Sequence, residues 1–284
     1  MPNRRACLIT LLVLGGFSAS AAGVRRQDSD PLAQVFQAIG AGRVTVVDLT
    51  HPVDEQSPYW PEGAAESPFH APVVSTIERG GYFARNLTIP EHFGTHMDAP
   101  AHFDPRGVTV DQLPVKNYLR PASVVDVSQA AKTNRDYRLS VADLENWEKA
   151  HGAPPDGCVV LIRTGWGERW PSQQRVMNQD AQGVLHFPGL SVEAARYLIN
   201  RVHPVAIGID TPSIDFGPSK NFDVHQITMS AGLYHLENVA NLEQLPAVGA
   251  YVIALPLKLR GGSGSPARVL ALFWKGRDFK RLGR

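Results

Sequence analysis

The chain has 284 residues, with 28 Lys+Arg against 27 Asp+Glu, a formal net charge of +1, 43% hydrophobic and 19% charged residues. This is enough apolar chain for a sizeable core and too balanced a charge for a disordered acidic or basic tail. Without a Lys/Arg-dense stripe the chain lacks the electrostatic footprint of phosphate binding, so no nucleic-acid partner is expected.

Residues 1–22 read as an export signal. Arg4 and Arg5 lead an apolar run over residues 7–17, followed by Ser18, Ala19, Ser20, Ala21 and Ala22. The run is shorter than the roughly 18 apolar residues that span a bilayer. Cleavage after Ala21 leaves an exported protein, periplasmic or secreted, with no membrane contact, and the Arg4-Arg5 pair leaves the export route open. Residues 23–43 form a lead-in segment, in which Leu32, Val35, Phe36 and Ile39 recur at i, i+3, i+4 and i+7 and predict a helix packed on the body. Beyond the signal the only cysteine is Cys158. It opens the apolar run 158–162, so it reads as a small buried hydrophobe, and stability must come from the core.

The remaining residues, 44–284, carry no internal repeat and no linker-like stretch. Residues 44–49 predict a strand. Residues 50–72 hold Pro52, Pro58, Pro61, Pro68 and Pro72 and predict a long irregular loop punctuated by Tyr59, Trp60 and Phe69. Further strands are expected over 73–77, 85–98, 122–127, 159–164, 205–210, 250–255 and 268–274, each a β-branched or apolar run bounded by Gly or Pro. Two helices stand out: 141–150 behind the cap Ser140 with Asp143 three residues on, and 192–201 behind Ser191. Strands outnumber helices, so the fold class is a single mixed α/β (α+β) domain.

The chemistry concentrates in His92-Phe93-Gly94-Thr95-His96-Met97-Asp98-Ala99-Pro100-Ala101-His102. Gly94 and Pro100 argue against a helix, and on a helix residue i+6 would be turned well away from i and i+4. In a strand, His92, Gly94, His96 and Asp98 share one face, and Gly94 leaves a gap between the two imidazoles. Two histidines and a carboxylate make a donor set suited to Zn²⁺ or Mn²⁺ with positions left for water and substrate. Pro100 then ends the strand and turns His102 back over the site. Two other residues keep open readings. Asp210 either orients a ligand or caps a turn, and Trp166 either lines an aromatic pocket or packs. By themselves, His225, in a loop, and Glu237, before an apolar helical run, read as surface groups.

The run HFGTHMDAPAHF resembles the signature H-x-G-T-H-x-D-x-P-x-H of the cyclase-type metal-dependent hydrolases, the family of bacterial kynurenine formamidase and isatin hydrolase. The resemblance extends to Asp48-Leu49-Thr50-His51-Pro52, to Tyr59-Trp60-Pro61, to the run 208–215 and to His225 and Glu237, and so covers nearly all of residues 44–284. It implies a swivelling β/β/α fold, a central mixed sheet or barrel-like core flanked by helices. It implies one or two ions: the first on His92, His96 and Asp98, the second on Asp98, His225 and Glu237. It makes His102 the catalytic acid/base, puts Trp60 in the substrate pocket, and implies a homo-oligomer, dimer or larger. Phe216, where many relatives carry Pro, and Gln226, where some carry a second His, are departures.

Together these features predict an amidohydrolase that opens an amide, cyclic amide or related acyl bond, acting on C–N bonds other than peptide bonds. A bound divalent ion supplies Lewis acidity and lowers the pKa of water to near 7, so no Ser or Cys nucleophile is needed. Trp60, Phe93 and Trp166 favour a small planar aryl substrate of the arylformamidase or cyclic amidase type. The competing reading is an exported small-molecule or metal-binding protein that uses the same pocket without turnover. A closed structural metal site is disfavoured, because such sites draw on four ligands, often cysteines, and Cys158 stands alone.

Overall fold

The computed structural model describes residues 30–61 and 67–276, and the export-signal reading falls outside them. Among the described residues no helix is long and apolar enough to cross a membrane. The strands are β1 (Val44–Asp48), β2 (Val73–Ser75), β3 (Ala84–Arg85), β4 (His96–Asp98), β5 (Leu119–Asp126), β6 (Arg138–Leu139), β7 (Val159–Arg163), β8 (Gly189–Leu190), β9 (Ala206–Ile209), β10 (Tyr234–Glu237), β11 (Ala250–Pro256) and β12 (Gly264–Trp274). The helices are α1 (Pro31–Gly40), α2 (Ile77–Gly80), α3 (Ser128–Thr133), α4 (Val141–His151), α5 (Gln173–Met177), α6 (Val192–Tyr197) and α7 (Asp223–Ser230).

The main sheet runs β12-β11-β5-β7-β9-β10-β4, and β4 pairs back onto β12. Seven strands thus close into a barrel, with β5, β7, β9 and β10 parallel and the remaining junctions antiparallel. The 11-residue β12 serves two partners along one edge: Gly264–Pro266 holds β4, and Leu270–Trp274 holds β1. Burial explains the composition of the central strands. In β7 alternate residues face opposite sides, yet Val159 to Ile162 are all buried, the pattern of a parallel strand covered on both faces. Leu161 joins Met97, Leu236, Val252 and Val269 inside the barrel, while Val160 and Ile162 pack with Leu144, Trp147 and Leu198 under α4 and the segment after α6.

The local signals behave as their chemistry predicts. Ser140 and Asp143 form a reciprocal capping box on α4, and Ser191 caps α6, which continues as one wider turn through Val202 before His203 ends it at φ +52°. Cys158 is fully buried, and burial pushes its thiol up to about 11.

Three expectations need correction. The 85–98 strand is interrupted: only Ala84–Arg85 and His96–Asp98 are strands, because Gly94 takes φ +62° and breaks the ladder. Helix α1 forms, capped by Asp30, but the body covers its apolar stripe only in part: Ile39 is half-buried and Val35 shares a groove with Val44 and Phe273, whereas Leu32 is 58% and Phe36 69% exposed. The run after Glu237 is not a helix: Glu237 ends β10, and Asn238 and Asn241 follow in the left-handed region.

Away from the barrel, His186 is clamped between Asp136 and Asp180, with Nδ1 2.9 Å from one carboxylate and Nε2 3.1 Å from the other. Burial alone would lower its pKa, but the two carboxylates outweigh burial and raise it. A raised histidine stabilises the fold fully below its unfolded pKa near 6.5, and that contribution is lost as pH rises through the folded value. His186→Gln should therefore lower the melting temperature more at pH 6 than at pH 9. Equal losses at both pH values would refute the ion-pair account.

Candidate functional site

The pairing of β4 with β10 builds the site. Its register sets Glu237 opposite His96 and His235 opposite Asp98, so two strands place four ionisable side chains in one patch. Gly94 completes β4's approach. Its carbonyl accepts from His96 Nδ1 at 2.9 Å and from Asn238 Nδ2 at 3.1 Å, and a Cβ there would sit 2.5 Å from Val53 Cγ1. Glycine at this position is therefore a backbone requirement as well as part of the cavity wall between the two histidines. His92 crosses β12 at Gly264, where a Cβ would lie 2.5 Å from the His92 ring. Pro100 opens a short turn, Pro100–His102, that carries His102 over the site as expected, its ring stacked on His92 at 3.9 Å and 21°.

Asp98 is the hub, 1% exposed. Its Oδ1 lies 2.6 Å from His92 Nδ1 and 3.1 Å from His96 Nε2, and its Oδ2 lies 3.5 Å from His225 Nε2. Glu237 adds Oε2 at 3.6 Å from His96 Nε2 and Oε1 at 3.3 Å from His225 Nε2. The structure thus brings together all five predicted ligands and His102. Contrary to the loop expected from sequence, His225 rides on α7.

Each imidazole is oriented from behind. His96 donates its Nδ1 proton to the Gly94 carbonyl, which frees Nε2 for the site. His225 Nδ1 is 2.7 Å from Asp215 Oδ2, and Asp215 also accepts from the backbone N–H groups of Val224 and His225, fixing the start of α7. His92 Nε2 meets Ser263 Oγ at 2.9 Å, and Ser263 donates on to Glu91. Such outer partners set the tautomer that a metal-ligating histidine presents.

The donor set fits a divalent cation. Two carboxylates buried side by side demand positive charge. Burial alone would strip the proton from His96, but Asp98 and Glu237 outweigh it and hold its pKa at about 9. His225 is likewise raised, through Asp215, Asp98 and Glu237 against burial, while burial and the Asp98 charge push Glu237 up. A divalent ion meets the same demand and releases those protons. Asp98 Oδ2, wholly buried, has no hydrogen-bond donor, which is what a metal-facing oxygen looks like. The donor atoms fall into two groups, His92, His96 and Asp98 in one and Asp98, His225, His235 and Glu237 in the other, each within 4.8 Å.

His235 was missed from sequence, although the signal was present. It lies two residues before Glu237, and in a strand i and i+2 share a face. Asp215 was visible only as part of a motif. His102 sits among other imidazoles: burial first, then His92, His225 and His96 against the pull of Asp98, bring its pKa down to about 4.

Beside these residues opens a cavity of about 250 Å³. Trp60 lines it with Tyr59, Phe103 and Phe222, and the Trp60 ring leans on Phe222 at 5.9 Å and Phe187 at 6.2 Å. Phe93 does not line it. That side chain is 2% exposed and stacks on Phe69 at 5.8 Å, so the substrate role expected for it is withdrawn. Trp166 packs, donating to the Val176 carbonyl beneath the Arg169 guanidinium. Asp210 accepts from Thr164 N and Oγ1 and from Gly165 N, which makes it the cap of the turn after β7. Burial raises its pKa to about 6.

Asp215→Asn keeps the shape of the side chain but removes the charge that orients His225. Its affinity for Zn²⁺ or Mn²⁺, measured by chelator competition, should fall about 10–100-fold. Unchanged affinity would show that His225 does not ligate.

The "Putative cyclase" family model matches residues 47–216. Isatin hydrolase of Roseibium aggregatum is 33% identical over 246 residues, 82% of this chain and 93% of that protein. Kynurenine formamidase of Paracidovorax citrulli is 32% identical over 231 residues, 78% of this chain and 94% of that one. The solved structure of isatin hydrolase A from Labrenzia aggregata, bound to benzyl benzoate, superposes with a TM-score of 0.81 at 35% identity, covering 87% of this chain and all of that one. The chain belongs to this cyclase family and is a metal-dependent amidohydrolase.

Proposed function

We propose that this enzyme opens a small neutral aryl lactam, an isatin-like cyclic amide, to the corresponding aryl amine and carboxylate. The observation that carries the reading is the pocket wall: Tyr59, Trp60, Phe103 and Phe222 line it, and no Lys or Arg does among the described residues. An amino-acid substrate such as N-formylkynurenine brings a carboxylate that such a wall leaves without a charged partner, at a cost of a few kcal/mol in a dry site. The cavity of about 250 Å³ is smaller than the 300–1,000 Å³ of drug-sized pockets, which suits a bicyclic ring.

The residues present divide the work. His92, His96 and Asp98 would hold one ion, and Asp98, His225 and Glu237 a second. When bound, Zn²⁺ or Mn²⁺ supplies Lewis acidity toward a carbonyl oxygen and acidifies water. The aromatic wall orients the aryl ring and excludes bulk water. His102, held neutral at pH 7, has a ring nitrogen free to accept the proton of the attacking water. As the water oxygen bonds to the carbonyl carbon and the C–N bond breaks, His102 returns that proton to the leaving nitrogen. Residues 1–22 support an exported enzyme. The apolar hairpin β2–β3, with Val73, Val74, Tyr82 and Phe83 exposed, supports an oligomer of identical chains.

The test is hydrolysis of isatin and N-formylkynurenine side by side, with chelator and with Zn²⁺ or Mn²⁺ restored. Isatin should be turned over with a kcat/KM at least about 10-fold higher, which is 1.4 kcal/mol of discrimination, and a preference for N-formylkynurenine would sink the lactam reading. His102→Ala should lower kcat by about 10²–10⁴-fold while metal content holds. Loss of metal together with activity would make His102 a ligand instead.

A further inference from the structure

The geometry points to His235 as a fourth protein ligand of the second ion, closing that site while the first keeps an open position. His235 is fully buried on β10, opposite Asp98. Its Nε2 is 2.8 Å from Thr228 Oγ1. That hydroxyl has one hydrogen, given to the Val224 carbonyl at 2.7 Å within α7, so its oxygen must accept from Nε2–H. A neutral imidazole carries a single N–H, and His235 Nδ1 is therefore left as a bare lone pair.

That lone pair has no hydrogen-bond partner, and neither does Asp98 Oδ2, 3.9 Å away. Two buried acceptors that face each other without a donor both call for an electrophile between them. Tetrahedral donors about 2.0–2.2 Å from Zn²⁺ lie about 3.3–3.6 Å apart. Two separations here fall on those edges, His225 Nε2 to Glu237 Oε1 at 3.3 Å and His225 Nε2 to Asp98 Oδ2 at 3.5 Å; His235 Nδ1 to Asp98 Oδ2, at 3.9 Å, is longer, and all four donors lie within 4.8 Å of one another. Four donors saturate a tetrahedral ion, the pattern of structural sites, whereas His92, His96 and Asp98 give three and leave room for water and substrate. His92, His96 and Asp98 would thereby be the set that leaves room for the reaction, and the closed set of Asp98, His225, His235 and Glu237 would fix the Asp98 carboxylate.

This inference rests on the metal-dependent reading of the pocket. The test is a Zn²⁺ titration of the full chain against a competing chelator, with the Co²⁺ absorption spectrum as a second readout. Wild type should bind two equivalents, and Co²⁺ at the second should show the intense visible bands of a tetrahedral site. His235→Leu should weaken the second equivalent at least about 100-fold and leave the first unchanged, which also shows that the variant folds. Thr228→Val keeps the ring but releases its tautomer, and should weaken the second equivalent about 10-fold. Two equivalents with unchanged affinity in both variants overturn the proposal, as does a single equivalent in wild type. Absence of any bound ion overturns it together with the hydrolase reading, so the two failures are distinguishable.

Discussion

Asp98 is a carboxylate with almost no access to water, and everything near it is arranged around that fact. A buried anion is tolerated only when paired and hydrogen-bonded. Here the pairing is divided, with Oδ1 facing His92 and His96 and Oδ2 facing His225 and His235. The strand β4 that carries it lies between β10 and β12, so neither neighbour can shift without moving the carboxylate. The acidic and basic groups of the site are therefore part of the barrel wall, and their geometry is as rigid as the ladder that holds them.

Much of this was legible in the sequence, for identifiable reasons. The central strands announced themselves as buried apolar runs, and Ser140 with Asp143 announced a helix start because a capping box needs only residues three apart. The metal donors His92, His96 and Asp98 were legible because they fall within seven residues of one another. His225 and Glu237 were not legible as a site without the family likeness, since 127 and 139 positions separate them from Asp98, and only the sheet order closes that gap.

What was misread has equally physical causes. An i, i+3, i+4, i+7 stripe establishes an amphipathic helix but not what covers it, and in this single chain the Leu32 and Phe36 part of the α1 stripe is left open. Spacing alone marks Gly94 as the gap between two histidines, where it does line the cavity, but not its left-handed φ or the nearness of Val53, which let the chain turn into β4. Phe93 belongs to the same segment as the ligands yet stacks on Phe69, on the side away from the cavity that alternation from His92 itself indicates. His235 was passed over because it lies outside the motif, although its spacing from Glu237 marked it.

The two-partner edge of β12 governs when the site can come into being. Ser263 and Gly264, which seat His92, and the stretch that pairs with β4 lie near the end of the chain, while Arg268 reaches back across 220 positions to Asp48. Contacts of such long sequence separation are slow to form, since loop-closure entropy is spent before they give anything back. During synthesis, the histidines and Asp98 emerge well before the strand that closes the barrel around them. A nascent chain that stops short of β12 presents these donors without their frame, so assembly of the metal pocket waits on closure of the barrel.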